Sequence, residues 1–317
     1  MGCAVLVHMH QRSGFHRDNC FLAMHKTQNT KGTTQNPGSS VVLLSTQPAT
    51  VLQDYVRLLA MVELEPTLLE YVILLPYSAS SFPQPGNFTP PWQLEGSVLA
   101  LRALGAAHIA LLGKPPQADD LIGLSATARR LGVGWQAEIS SATLLVLLPS
   151  LRRMPGVRLG TTLWLADHVA HSRLSLYQKL QRCIKPTSRL DTSLLEHIPT
   201  LAVMDATTIG NGANDCSDRP QIANLLLASC DGVALDAIGA RLLGLDGVQD
   251  VAALLQAQQL GLGTADLEHI RLCGDTTILG LRFPPCLPHR PWRSRSSYTA
   301  WRYETSWGKL FSMYHGV

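Results

Sequence analysis

Two apolar runs in this chain end in carboxylates: Leu201-Ala-Val-Met-Asp205 and Ile222-Ala-Asn-Leu-Leu-Leu-Ala-Ser229-Cys-Asp231. Asp236 follows one turn into the segment after Asp231, and Gly210-Asn211-Gly212 follows Asp205 within a stretch that also holds Asn214, Asp215 and Asp218. Oxygen ligands of this kind suit a hard divalent cation such as Mg²⁺ or Ca²⁺, although the spacing is not that of an EF-hand loop. Asp205, Gly210, Asn211, Gly212, Asp231 and Asp236 are therefore the candidate ligand-binding residues. Asp205, Asp231 and Asp236 are the candidate metal ligands. The same residues have a purely structural reading. Asp231 is placed to cap a helix, Asp236 to sit on that helix, and the Gly- and Asx-rich stretch to form self-capping turns.

Chemistry at these positions needs elements that bring them together. The expected order is strand 41–45, helix 49–61, strand 70–76, helix 94–104, strand 107–112, helix 119–131, strand 143–148, helix 162–181, strands 200–204 and 222–229, helices 232–243 and 248–258, and strands near 269–273 and 278–283. Strands that alternate with helices and read as nearly unbroken apolar runs belong to an α/β fold: a mostly parallel sheet flanked by helices, mixed at one edge. In such sheets ligands bind in a crevice beyond the carboxyl ends of the strands. Residues 206–220 are expected as a loop there, with Asp205 and Asp231 facing the same cleft.

The order of motifs from Leu201 to Gly274 resembles the C-terminal half of the family catalogued as domain of unknown function 362. The residues that carry it are Met204-Asp205, Gly210-Asn-Gly212, Ser229-Cys-Asp231-Gly-Val-Ala-Leu-Asp236, Gly244, Gly261-Leu-Gly263-Thr-Ala-Asp266 and Ile270-Arg-Leu-Cys-Gly274. Many members of that family carry a ferredoxin-like module beside this domain, so the resemblance implies a small-molecule ligand and a ferredoxin-like partner. Upstream the pattern departs from the family. Leu75 and Tyr77 stand where it has a strand-end Lys-Pro-Asn, and Ala166 and Asp167 stand at a second Lys-Asn. Alanine and leucine cannot hold an anion or stabilise developing charge. The resemblance thus leaves two expectations: a small anionic ligand or divalent metal bound at the 205–236 strand ends, or a non-catalytic member acting as a binding or scaffold protein. Arg152, Arg153 and Arg158 could replace the lysines as anion holders, or form a basic surface loop.

Composition narrows the class further. With 317 residues, 46% hydrophobic and 15% charged, the chain can bury a sizeable core. The seven cysteines contain no Cys-x-x-Cys pair, so no iron–sulfur cluster is expected on this chain, and Cys230 and Cys273 are read as small core residues. No apolar run is long enough to cross a bilayer, and the start lacks a signal-like basic region, so a cytoplasmic location is expected. His168 and His171 share a helix face near Asp167, which suits an acid–base cluster or two ordinary histidines.

The ends differ from the middle. Residues 1–39 are read as a flexible extension, rich in histidine and then in polar residues. Residues 40–283 are the α/β domain, and residues 284–317 an aromatic, basic tail peripheral to it. That tail carries five Lys or Arg against the single acid Glu304, leaving the rest of the chain near neutral, so nucleic acid is not expected as a partner.

Overall fold

The computed structural model of the protein describes residues 39–77, 86, 88–113, 122–136, 139, 142–154, 158–159, 198–211, 219–246, 250–283 and 294–315. These residues all belong to one unit that begins at Ser39. In chain order the regular elements are β1 (Ser40–Ser45), α1 (Val51–Ala60), β2 (Tyr71–Pro76), α2 (Pro91–Ala103), β3 (His108–Leu112), α3 (Leu124–Leu131), β4 (Gly134–Gln136), β5 (Leu144–Leu148), β6 (Ser150–Met154), β7 (Arg158–Leu159), β8 (Thr200–Asn211), β9 (Arg219–Ser229), α4 (Gly232–Leu242), α5 (Ala252–Gln259), β10 (Arg271–Gly274), α6 (Ser294–Glu304) and α7 (Ser306–Tyr314).

All ten strands join one sheet in the order β10-β1-β9-β8-β5-β2-β3-β4, with β6 on β8 and β7 on β6. The pairings are mostly parallel, so the α/β expectation holds. Two strands are reversed: β7 lies at an edge, antiparallel to β6, and β9 sits inside the sheet between β1 and β8, antiparallel to both. Successive residues of the central strands point to opposite faces, and both faces are covered. Leu43, Ile73, Leu147 and Met204 pack in one apolar layer with α4 and α5. Val42, Leu74, Val146 and Val203 pack in the other with α1, α2 and the C-terminal helices. That double coverage is why these strands read as unbroken apolar runs.

Several expectations fail here for physical reasons. The segment from Ala206 is not a loop: β8 runs on to Asn211 and β9 begins at Arg219, forming a long hairpin in which ladder hydrogen bonds outweigh the weak strand preference of Gly, Thr and Asn. No strand forms over 278–283, where Thr276–Gly280 makes a 3-10 turn. Arg152 is fully buried in β6 and Arg153 half-buried, so neither lies on a surface loop. Cys230 is exposed rather than core, whereas Cys273 is half-buried and packs against the apolar layer of α1 and α2.

The largest departure is the aromatic tail, which is not peripheral. It folds into α6 and α7 and places Trp301, Trp307 and Phe311, all at most 3% exposed, in the apolar layer with Tyr55 and Trp92. Each polar tip finds a partner. The Trp301 indole donates to Thr208 Oγ1 (3.2 Å), the Trp307 indole to Asn224 Oδ1 (2.7 Å), and the Tyr314 hydroxyl to Glu95, which Arg130 also holds with two bonds. Asn224 adopts a left-handed backbone (φ 59°), a conformation asparagine tolerates better than most residues. Residues 1–38 and the expected helix at 162–181 lie outside the described residues, as do Ala166, Asp167, His168 and His171.

Candidate functional site

From β2 the chain passes to β3 on one side, whereas after β5 it continues to β8 on the other. The carboxyl ends of β2 and β5 therefore bound a topological switch point, the usual place for a ligand in an open α/β sheet. Asp205 lies at its edge. The Asp205 amide donates to the Pro149 carbonyl (2.9 Å), just past the end of β5, and its carboxylate faces the layer of α1 and α2.

That carboxylate is 2% exposed and accepts four hydrogen bonds. Oδ2 takes the Tyr55 hydroxyl (2.8 Å) and the Trp92 indole N–H (2.9 Å); Oδ1 takes the Thr207 amide (3.0 Å) and hydroxyl (2.7 Å). Burial pushes the Asp205 carboxyl above its usual range, and the bonds from Thr207, Tyr55 and Trp92 pull it partly back. Burial first, then the charge of Asp205, holds the Tyr55 hydroxyl well above its ordinary value, so it stays a donor at neutral pH. Four donors fill the lone-pair directions of a carboxylate.

Beside Asp205 a small recess of about 10 Å³, room for about one water, is lined by Phe88, Trp92, Ser150, Thr207, Thr208 and Trp301. Among the described residues, aromatic side chains from α2, α6 and α7 pack beside it. Trp92 meets Trp307 at 5.4 Å between ring centres, and Trp301 meets Phe311 at 5.7 Å. Gly86, with φ 80°, lets the segment before α2 press on β8, since a Cβ there would stand 2.3 Å from the Gly210 amide nitrogen.

The other acids lie elsewhere. Extending the antiparallel register of β8 and β9 puts Asp231 level with Thr200, about 17 Å along the strand from Asp205, at the opposite end of the sheet. Asp231 caps α4: its Oδ1 accepts from the Val233 and Ala234 amides (2.9 Å each), and Oδ2 from Thr264 (3.0 Å) and the Ser39 hydroxyl. Gly263 allows this closeness, because a Cβ on it would fall 2.0 Å from Asp231 Oδ1. Asp236 is buried on α4, in the layer across the sheet from the Asp205 carboxylate. The three proposed metal ligands are thus not brought together, and no group of three metal-ligating side chains occurs among the described residues. Gly210 is buried and packed against Gly86, Asn211 ends β8, and Gly212 lies outside the described residues.

Sequence reasoning missed Tyr55, Trp92, Ser150, Thr207, Thr208 and Trp301. A faint signal existed for Thr207, since Asp-x-Thr lets the side chain take both the amide and the hydroxyl two residues on. Leu75 and Tyr77, which stand at family Lys and Asn positions by resemblance, are 4% and 2% exposed in the apolar layer opposite Asp205's. Comparison of the chain with known protein families, with curated proteins and with solved structures finds no match.

Proposed function

We propose that this chain is a non-catalytic binding or scaffold protein, related to the domain of unknown function 362 family, whose strand-end ligand chemistry has been replaced by internal packing. The observation that carries this reading is the saturation of Asp205. All four donors come from the chain itself, so the carboxylate offers no open lone pair to a divalent cation and no unopposed base to a substrate proton. Leu75 and Tyr77 in the core, and Trp301 and Trp307 packed beside the recess, support it. The resemblance makes a ferredoxin-like protein the first partner to test.

A thermal-unfolding screen of the full chain against Mg²⁺, Ca²⁺, Mn²⁺, Zn²⁺ and a panel of phosphorylated and carboxylated metabolites checks the reading, because a ligand that prefers the native state raises the melting temperature. The expected result is no saturable rise beyond that of salt at equal ionic strength. A saturable rise that Asp205→Asn abolishes would instead favour the anionic-ligand or divalent-metal reading. Turnover of any of these metabolites would overturn the non-catalytic one.

A further inference from the structure

We propose that helix α5 is a self-association face, on which a second copy of this chain packs its own α5 antiparallel about a two-fold axis. The inner side of the helix is ordinary core: Val251, Leu254 and Ala257 are at most 2% exposed and pack in the layer with α4. The outer side is Ala252, Leu255 and Gln259, three exposed positions at i, i+3 and i+7 that share one helix face, and it continues into exposed Leu260 and Gly261. Leu255 and Leu260 are each 41% exposed. From Val251 to Ala265 the chain carries no charged residue, and α5 is the one helix among the described residues without any. An exposed face free of charge has the composition of an interface core, where charged residues are depleted.

The distribution of charge and polarity selects a second copy as the occupant. A partner bearing charged groups would bury them against a face that offers no countercharge, whereas a glutamine amide is both donor and acceptor and so complements itself. Gln259 supplies that amide on the outer face; Gln258 is spent inward, its Oε1 accepting from the Ala265 amide (2.9 Å). The exposed acids next to the helix, Asp246 and Asp250, both stand at its N-terminal end, where the Asp246 amide donates to Asp250; past the C-terminal end no charge follows until Asp266. Antiparallel pairing keeps the two acidic ends apart and opposes the helix dipoles, whereas parallel pairing would set like charges side by side. An axis near Leu255, the middle of the stripe, lays that side chain on its own counterpart in an isologous contact. Two turns of helix cover less than the roughly 800 Å² per partner of a standard stable complex, so the association is weak and concentration-dependent. The assignment does not depend on the scaffold reading and goes beyond it.

Sedimentation equilibrium of the full chain is the test. The weight-average mass should climb from one chain towards two as concentration rises from about 10 μM to about 1 mM, the range of a weak interface, and should respond little to sodium chloride because no charges pair across the contact. Leu255→Lys should hold the protein at the mass of one chain with its melting temperature unchanged, since an exposed leucine contributes little to the fold. Leu255→Glu should do the same, and an equimolar mixture of the two variants should restore association, because a two-fold contact pairs this position with itself. Leu99→Lys, which charges a similarly exposed leucine on α2, should associate as wild type does. A wild-type chain that stays monomeric up to about 1 mM would overturn the proposal and leave the face to a different partner or to solvent. Association that survives Leu255→Lys, or that Leu99→Lys also abolishes, would place the contact on another surface. A mixture that fails to restore association would overturn the two-fold pairing.

Discussion

Asp205 shows how a residue chosen for its chemistry can be committed to structure. Four chain donors converge on it, and burial raises its pKa above the ordinary carboxylate range. The folded protein therefore binds this proton more tightly than the unfolded chain. The stability that follows is complete below the ordinary carboxylate pKa and is lost as pH rises through the raised value. Tyr55 has the same sign further up: its contribution is lost as pH climbs above its ordinary 10.0 towards its raised value. Asp266 and Asp275, held low by hydrogen bonds from their neighbours, act in the opposite direction at the acid end. Asp205→Asn isolates one of these contributions. Urea unfolding over a pH series should show wild type losing stability, relative to the variant, across the window just above the ordinary carboxylate range. Away from that window the variant should be weaker by about 1–3 kcal/mol for each donor it leaves without an acceptor. Parallel pH profiles for the two proteins would contradict a raised Asp205. The acid itself was legible in the sequence as the end of an apolar run. Its partners were not, because Tyr55 and Trp92 lie 150 and 113 residues away and meet it only through the fold.

The elements were legible in proportion to the strength of their local signals. Helix α1 buries Val51, Tyr55, Leu58 and Leu59, a helical stripe, and β2 and β5 are apolar runs bounded by Pro and polar residues. The long β8–β9 hairpin was hidden by its Gly, Thr and Asn content, which signals turns unless a neighbouring strand supplies partners. Helix α7 carried a readable signal that its setting obscured: Trp307, Phe311 and Tyr314 recur at helical spacing, and the Thr305 hydroxyl accepts from the Gly308 amide (3.0 Å) as a cap. Helix α4 was anticipated together with its cap, and the cap is where one reading of Asp231 displaces the other. Asp231→Ala removes acceptors for the Val233, Ala234 and Thr264 amides, so it should lower stability by about 1–2 kcal/mol in denaturant unfolding. A variant of wild-type stability would show that Asp231 is not the cap.

At the scale of the whole molecule, two apolar layers close both faces of one sheet, and the second layer is incomplete without the C-terminal helices. No helix among the described residues is long and apolar enough to cross a membrane. Composition anticipated a sizeable core, but it also drew the boundary of that core at Phe283, because arginine and serine surround the tryptophans that complete it. Trp301 and Trp307 are buried beside the end of the sheet where an open α/β fold ordinarily takes a ligand, and the proposed non-catalytic reading rests on their staying there. Hydrogen exchange of the Trp301 and Trp307 indole N–H groups in the full chain, followed by NMR beside the backbone amides of β8, tests this most directly. Both indoles should exchange as slowly as the Met204 and Asp205 amides, opening only with global unfolding. Indoles that exchange orders of magnitude faster while β8 stays protected would mean that α6 and α7 leave the sheet in the native state, and would contradict the proposal that internal packing has replaced a ligand site there.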